Sequence, residues 1–132
     1  MIAYLKVVND RLDGTPFKIA YRTRNEFLLY VVNNLPYNKN EEGEDLDQNF
    51  VIARALDEIT NMKILSRIEG DETKVSEMFL KGLSDAIKEQ LELVCNDLFN
   101  TDDAEKEYQS ISLAKLDEMT KKLASGYTSF WS

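Results

Sequence analysis

The sequence predicts an all-α domain, an irregular or orthogonal bundle of about five helices. Three observations favour this fold class. Apolar residues recur mainly at spacings of three and four, which is the period of an amphipathic helix. No segment keeps the strict alternation of a half-buried strand. Short or medium polar stretches separate the periodic segments, and the 132 residues are enough for one domain, 1–132, around a single core.

A turn with helix-breaking residues separates the first two predicted helices. Residues 1–13 carry apolar side chains on one face, namely Tyr4, Leu5, Val8 and Leu12. The turn at 13–16 reads Asp-Gly-Thr-Pro, and Phe17 to Ala20 is a short extended connector. The second helix begins near Thr23 and ends before Pro36. Because it is almost apolar all round, it is predicted to lie deep in the bundle or against another surface.

A polar, acidic loop at 37–47 precedes the third helical region. That region is predicted to start about Asp47, to continue or restart through Met62 to Ile68, and to end at Gly70-Asp71. Its apolar residues are Phe50, Ile52, Ala53, Leu56, Ile59, Met62, Ile64, Leu65 and Ile68. Within the loop, Asn38, Asn40 and Glu42 imitate the first half of a calcium loop, but Asn49 stands where a bidentate glutamate is required. The sequence therefore favours a solvated loop and assigns no metal ligand.

The fourth helix has the strongest pattern in the chain. One apolar stripe continues from Val75 to Leu98, over roughly six turns. After an acidic break at 100–103, a fifth helix ends at Gly126, a residue suited to a helix C-cap. Its apolar residues are Tyr108, Ile111, Leu116, Met119 and Leu123. The aromatic tail, 127–132, is predicted to pack, since exposure of its rings would leave an apolar patch.

Composition excludes several classes of function. The net charge of −8 repels phosphate backbones, so direct nucleic-acid binding is not expected. No apolar run is long enough for a membrane span, and the N-terminus lacks a signal-peptide pattern, so a cytoplasmic protein is expected. The single cysteine, Cys95, lies in the apolar stripe and is predicted to be a small buried hydrophobic residue in a reducing compartment.

Catalytic motifs are absent from the sequence. It has no histidine, no paired cysteines, no Gly-x-x-x-x-Gly-Lys-Ser/Thr loop and no Gly-x-Gly-x-x-Gly. The 24 Asp and Glu residues leave a catalytic carboxylate pair open, although charged helix faces are the usual explanation for such abundance. We therefore assign no catalytic residue, and we expect the isolated chain to be inactive.

Arg22 and Arg24 are the candidate binding residues, at the predicted entrance of the second helix. They flank Thr23, which forms a Thr-x-x-Glu capping box with Glu26. In one interpretation they form surface salt bridges to Glu26 or to the acidic loop. In the other, one of them reaches a phosphate held on an adjacent surface that this chain does not contain.

The order of several short segments resembles the C-terminal helical lid of McrB-like AAA+ ATPases, the family of the 5-methylcytosine restriction component. The segments are Leu5–Leu12, Phe17–Arg22, Asn25–Tyr30, Ala55–Ile59, Lys63–Asp71 and Gly126–Trp131. Two positions depart from the family pattern. Ala20 stands where glycine is common, and Ser66 stands where proline is common.

The resemblance implies a lid that follows a nucleotide-binding α/β core. Arg22 matches the sensor 2 arginine by position, with Arg24 as the second choice. The resemblance also implies that the parent hydrolyses ATP or GTP with Mg²⁺, and that the chain itself holds no cofactor. Expected partners are the core domain, neighbouring subunits and a nuclease subunit of a modified-DNA restriction or defence system.

Two other readings of the sequence stay open. The chain suits a complete, small, acidic all-α adaptor that binds a basic partner surface, and the starting Met1 agrees with that reading. A coding sequence that continues upstream into a phosphate-loop motif would favour the lid instead. The third hypothesis, an acid–base enzyme, is supported only by the number of carboxylates and is the weakest of the three.

Overall fold

The computed structural model describes residues 2–15, 17–18, 21–36, 43, 47–71, 75–96, 98–99 and 108–130, with Ile2, Tyr21 and Arg22 described by their backbone alone. The helices are α1 (Ile2–Arg11), α2 (Tyr21–Asn34), α3 (Gln48–Lys63), α4 (Glu77–Val94) and α5 (Ile111–Leu123). A 3-10 turn at Leu65–Arg67 leads to strand β1 (Glu69–Asp71), which pairs with β2 (Tyr127–Ser129). The predicted all-α bundle is confirmed.

Helix α3 is the centre of the bundle. It contacts α2, α4 and α5, while α1 packs on α4 and α4 packs on α5. Its buried residues occupy more than one face, as a helix with several neighbours requires. They include Val51, Ala53, Ala55, Leu56, Asp57, Ile59 and Thr60. The Asp47 carboxylate caps α3 by accepting a hydrogen bond from the Asn49 backbone N–H, which agrees with the predicted start.

Of the two alternatives for the third helical region, a continuous helix to Gly70 is wrong, and a short 3-10 turn at Leu65–Arg67 follows α3. The helix stops at Lys63, and Gly70 lies in β1, opposite Thr128 of the antiparallel β2. The spacing of Ile64, Leu65 and Ile68 imitates a helix, and all three are fully buried although the backbone turns through a 3-10 segment. Strands of three residues are too short for a period of two to be visible in the sequence.

Helix α4 is shorter than its apolar stripe. The Ser76 hydroxyl caps its start, so that Val75 precedes the helix, and Cys95 and Leu98 follow its end; all three are nevertheless buried. The expected burial of Cys95 is thus confirmed. Met78 was expected on the buried stripe, but its side chain is 85% exposed. It lies two residues from the buried Leu80 on the opposite side of the helix, because each residue advances about 100°.

The chain reverses direction after α5. The helix ends three residues before Gly126, whose φ of 102° supports the turn into β2. The prediction of a packed tail is confirmed only in part. Phe130 is half-buried, with the Lys115 Nζ 4.8 Å from its ring centroid, whereas Tyr127 is 52% exposed and Trp131 lies outside the described residues.

Helix α2 does not lie deep in the bundle. Phe27 and Val31 are buried against the core, but Leu29 and Val32 are 62% and 52% exposed. Its main neighbour among the described elements is α3, so these elements cover mainly one side of the helix. The other predicted setting, against a further surface, stays a prediction. None of the helices that the structure describes has the length and apolar character needed to cross a bilayer.

Candidate functional site

The two candidate arginines lie in the first turn of α2. The helix begins at Tyr21, two residues earlier than predicted. Thr23 therefore has helical neighbours on both sides and cannot be the N-cap, which requires non-helical backbone angles. The predicted capping box is wrong. Glu26 instead forms a salt bridge to Lys63 of α3, with 3.2 Å between Oε2 and Nζ.

The predicted surface salt bridge between Arg24 and Glu26 is absent from the described residues. Arg24 is half-buried and forms no salt bridge within the part of the chain that the structure describes. The Arg22 side chain and most of the acidic loop lie outside that part. Glu26, the other expected partner, is engaged by Lys63. A salt bridge from either arginine to the acidic loop therefore stays a prediction, as does a contact with a phosphate.

Three other helix entrances carry their own acceptor groups. Asp47 caps α3, Ser76 and Glu77 stand at the start of α4, and Asp57 lies against the start of α5. The first turn of α2 contains no acidic residue. Backbone N–H groups that point out of a helix N-terminus favour an anion, and nearby arginines strengthen this preference. Among the helix starts that the structure describes, that of α2 combines two arginines with no acidic residue.

Asp57 forms the most extensive polar cluster of the fold. Its carboxylate, fully buried in α3, accepts hydrogen bonds from the Tyr108 hydroxyl (2.7 Å) and the Ser110 hydroxyl (2.7 Å). It also accepts from the backbone N–H groups of Ile111 (3.0 Å) and Ser112 (3.1 Å). The Ser112 hydroxyl donates to the Asp57 backbone carbonyl at 2.8 Å. These bonds fasten α5 to α3.

The Asp57 cluster is a structural centre and not a binding site. Its carboxylate already occupies the anion position at the start of α5 and accepts hydrogen bonds from neutral donors. Burial and then the adjacent Asp57 charge raise the pKa of Tyr108 above its ordinary value, which keeps the hydroxyl protonated as a donor. The sequence pattern did not reveal this cluster, because an acidic residue such as Asp57 in an amphipathic helix is usually expected on the exposed face.

An open groove of about 530 Å³ lies between α4 and α5. Its lining comes from the start of α4 and the end of α5, namely Ser76, Glu77, Met78, Thr120, Lys121, Leu123 and Ala124. Lys121 is already paired with Asp117 on the exposed side of α5 (3.0 Å). Arg24 is not among the described residues that line this groove.

Metal binding finds no support in the described residues. They contain no group of three or more His, Cys, Asp or Glu side chains that could hold an ion. Asn38, Asn40 and Glu42, the calcium-like part of the acidic loop, lie outside them. The described part of that loop includes Gly43, which has a φ of 79°.

Comparison with known proteins identifies a family. The model of the family DUF8727, a domain of unknown function, matches residues 1–127. No curated protein and no solved structure matches the chain. The match spans the arginine-bearing start of α2 and the Asp57 cluster.

Proposed function

Since the chain belongs to the DUF8727 family, a domain of unknown function, we propose a role for it from its own residues. The chain is the C-terminal lid of a McrB-like AAA+ NTPase in a modified-DNA restriction or related defence system. It covers the bound nucleotide and relays the state of that nucleotide between subunits. It works in the cytoplasm and has no catalytic residue of its own.

One observation carries the proposal: two arginines stand in the first turn of a helix whose entrance has no acidic residue. Arg24 forms no salt bridge with the described residues. An arginine guanidinium binds phosphate oxygens through two parallel hydrogen bonds, and the helix N-terminus adds further donors. The chain has no phosphate-loop motif to complete such a site. The start of α2 therefore fits one half of a nucleotide site whose other half belongs to a core domain.

The lid contributes position and charge to the reaction. The core would hold ATP or GTP with Mg²⁺, which supplies the charge neutralisation that phosphoryl transfer requires. Arg22, or Arg24 as second choice, contacts the nucleotide phosphates from the lid side. Because the helices share one core around α3, the lid moves as a rigid body when this contact forms or breaks. Neighbouring subunits, and through them a nuclease subunit, respond to that movement.

The test uses the assembly in which this chain adjoins its nucleotide-binding core. NTP hydrolysis is measured for the wild type, Arg22→Ala and Arg24→Ala. We expect one of the two variants to lose about 10- to 100-fold in kcat/KM, because hydrogen bonds to charged groups are worth about 1.5–3 kcal/mol. Arg11→Ala, which removes an exposed arginine at the end of α1, is the matched control.

Two results would contradict the proposal. One is full hydrolysis by the Arg22→Ala, Arg24→Ala double variant. The other is tight nucleotide binding by the chain alone. Calorimetry with ATP and with GTP is expected to give dissociation constants above about 1 mM for the isolated chain, so binding in the micromolar range would show a complete site.

A second candidate is a complete acidic adaptor, which the net charge of −8 favours. Such a protein would bind a basic partner surface with a strong dependence on salt. It would not require either arginine of α2. Retained partner binding in the Arg22→Ala, Arg24→Ala variant, together with loss of binding at high salt, would favour the adaptor over the lid.

A further inference from the structure

We infer that two polar links between α2 and α3 are positioning elements for the arginine-bearing turn. One link is the Glu26–Lys63 salt bridge, and the other is the hydrogen bond from the Tyr30 hydroxyl to Glu58. This inference rests on the proposed function, since it assigns these residues a role through Arg22 and Arg24. None of the four residues needs to touch the nucleotide.

The packing of α2 explains why such links are needed. The helix is held mainly by α3, and its buried apolar residues include Phe27 and Val31. Its opposite side exposes Leu29 and Val32. This apolar seam resists separation of the two helices, and polar pairs at its edge add contacts that require a defined distance and direction.

The two polar links between α2 and α3 have a defined distance and direction. Glu26 Oε2 lies 3.2 Å from Lys63 Nζ, at the last residue of α3. One turn further along α2, the Tyr30 hydroxyl donates to Glu58 Oε2 at 3.1 Å. The other oxygen of Glu58 faces Arg54, with 3.8 Å between Oε1 and Nε. The two links therefore fix both the register and the rotation of α2 on α3.

The arginines lie close to the first link along the helix. Glu26 is two residues after Arg24 and one turn after Arg22, and a helix rises only about 1.5 Å per residue. A rotation of α2 on α3 would carry the whole first turn with it. The Glu26–Lys63 pair is half-exposed, with 39% and 47% of its side chains accessible, so its loss leaves the fold intact.

The experiment measures NTP hydrolysis by the core-bound chain for Glu26→Gln, Lys63→Met and Tyr30→Phe. We expect KM to rise about two- to fivefold at unchanged kcat, as when a contact made equally in ground and transition states is weakened. Asp117→Asn and Lys121→Met remove an exposed salt bridge on α5 and serve as the matched control, with KM unchanged.

Charge reversal separates positioning from a general loss of stability. Glu26→Lys and Lys63→Glu are each expected to raise KM, whereas the double variant restores it to within about twofold of the wild type, because the opposite pair forms again. In the isolated chain, hydrogen exchange of the α2 amides should follow the same order. A double variant as impaired as its single variants would overturn the inference.

The outcomes distinguish this inference from the proposed function. If the two arginine variants leave hydrolysis unchanged, the proposed function fails, and the positioning role fails with it. If an arginine variant lowers kcat/KM but Glu26→Gln, Lys63→Met and Tyr30→Phe leave KM unchanged, only the positioning role is overturned. If an arginine variant lowers kcat/KM, the three positioning variants raise KM and the charge swap restores KM, both the proposed function and the positioning role are supported.

Discussion

The Asp57 carboxylate accepts a hydrogen bond from the Ser110 hydroxyl at 2.7 Å, across 53 positions of sequence. The Ser110 oxygen in turn accepts from the Leu113 backbone N–H at 3.2 Å, as the N-cap of α5. A single serine thus joins a buried anion in the middle of α3 to the first turn of another helix. The position of α5 on the bundle depends on this contact.

Replacing Asp57 by alanine should destabilise the fold strongly. Two hydroxyl groups and two backbone N–H groups would lose their acceptor, and Ser110 and Ser112 are buried. We expect the free energy of unfolding to fall by about 3 kcal/mol or more, since each buried unsatisfied donor costs roughly 1–3 kcal/mol. Urea denaturation measures this. Asp85→Ala, on the exposed face of α4, is the control, and a loss below about 1 kcal/mol at Asp57 would contradict the account.

A second buried pair predicts an asymmetry between its two partners. The Thr60 hydroxyl donates to the Leu56 carbonyl at 2.6 Å, so its contact with the Tyr4 hydroxyl at 2.7 Å has Tyr4 as the donor. In Tyr4→Phe every remaining donor of the pair keeps its acceptor, so the free energy of unfolding should fall by only about 1 kcal/mol. Thr60→Val leaves the buried Tyr4 hydroxyl without an acceptor and should lower the free energy of unfolding by about 2–3 kcal/mol. Equal losses in denaturation experiments would contradict the assigned donor.

The sequence predicts the helices well and the polar centre poorly. The helices follow from apolar periodicity, which is a local property, and α3 begins where predicted, next to Asp47. The Asp57 cluster depends on residues 51 to 55 positions apart, which no local pattern connects. One signal was present: serines at 110 and 112 stand at a helix start, where they favour capping, but their acidic partner could not be identified without the fold.

The candidate site shows the same limit. Arg22 and Arg24 are placed correctly at the start of a helix, because the turn before α2 is visible in the sequence. The predicted N-cap at Thr23 is wrong, because α2 already begins at Tyr21, before the apolar residues of its buried face. The partner of Glu26 is Lys63, which comes from α3 and not from the adjacent arginines. The fold, and not the spacing along the sequence, determines which charged residues form a salt bridge.

Stability should fall at alkaline pH because of buried tyrosines. Burial raises the pKa of Tyr4 and of Tyr108 above the ordinary value near 10. Below about pH 10 both groups are protonated in the folded and unfolded chains, so they do not make the free energy of unfolding depend on pH. Above it the unfolded chain releases these protons first, and stability is lost as the pH rises towards the folded pKa values. Urea midpoints measured against pH should fall less steeply in the Tyr4→Phe, Tyr108→Phe variant, and an unchanged slope would contradict the prediction.

Two glycines should respond to alanine in opposite directions. Gly82 lies inside α4, where an added Cβ would meet the Arg11 Nη1 at an ordinary distance of 3.9 Å and no other described atom within 4 Å outside its own helix. Gly82→Ala should therefore stabilise the chain by about 0.5–1 kcal/mol, since glycine is unfavourable within a helix. At Gly126 the φ of 102° is strained for any residue with a Cβ, so Gly126→Ala should destabilise by roughly 1–3 kcal/mol. Urea denaturation of both variants tests this. Destabilisation by Gly82→Ala would show that a further group packs against α4 at this point, closer than Arg11 does.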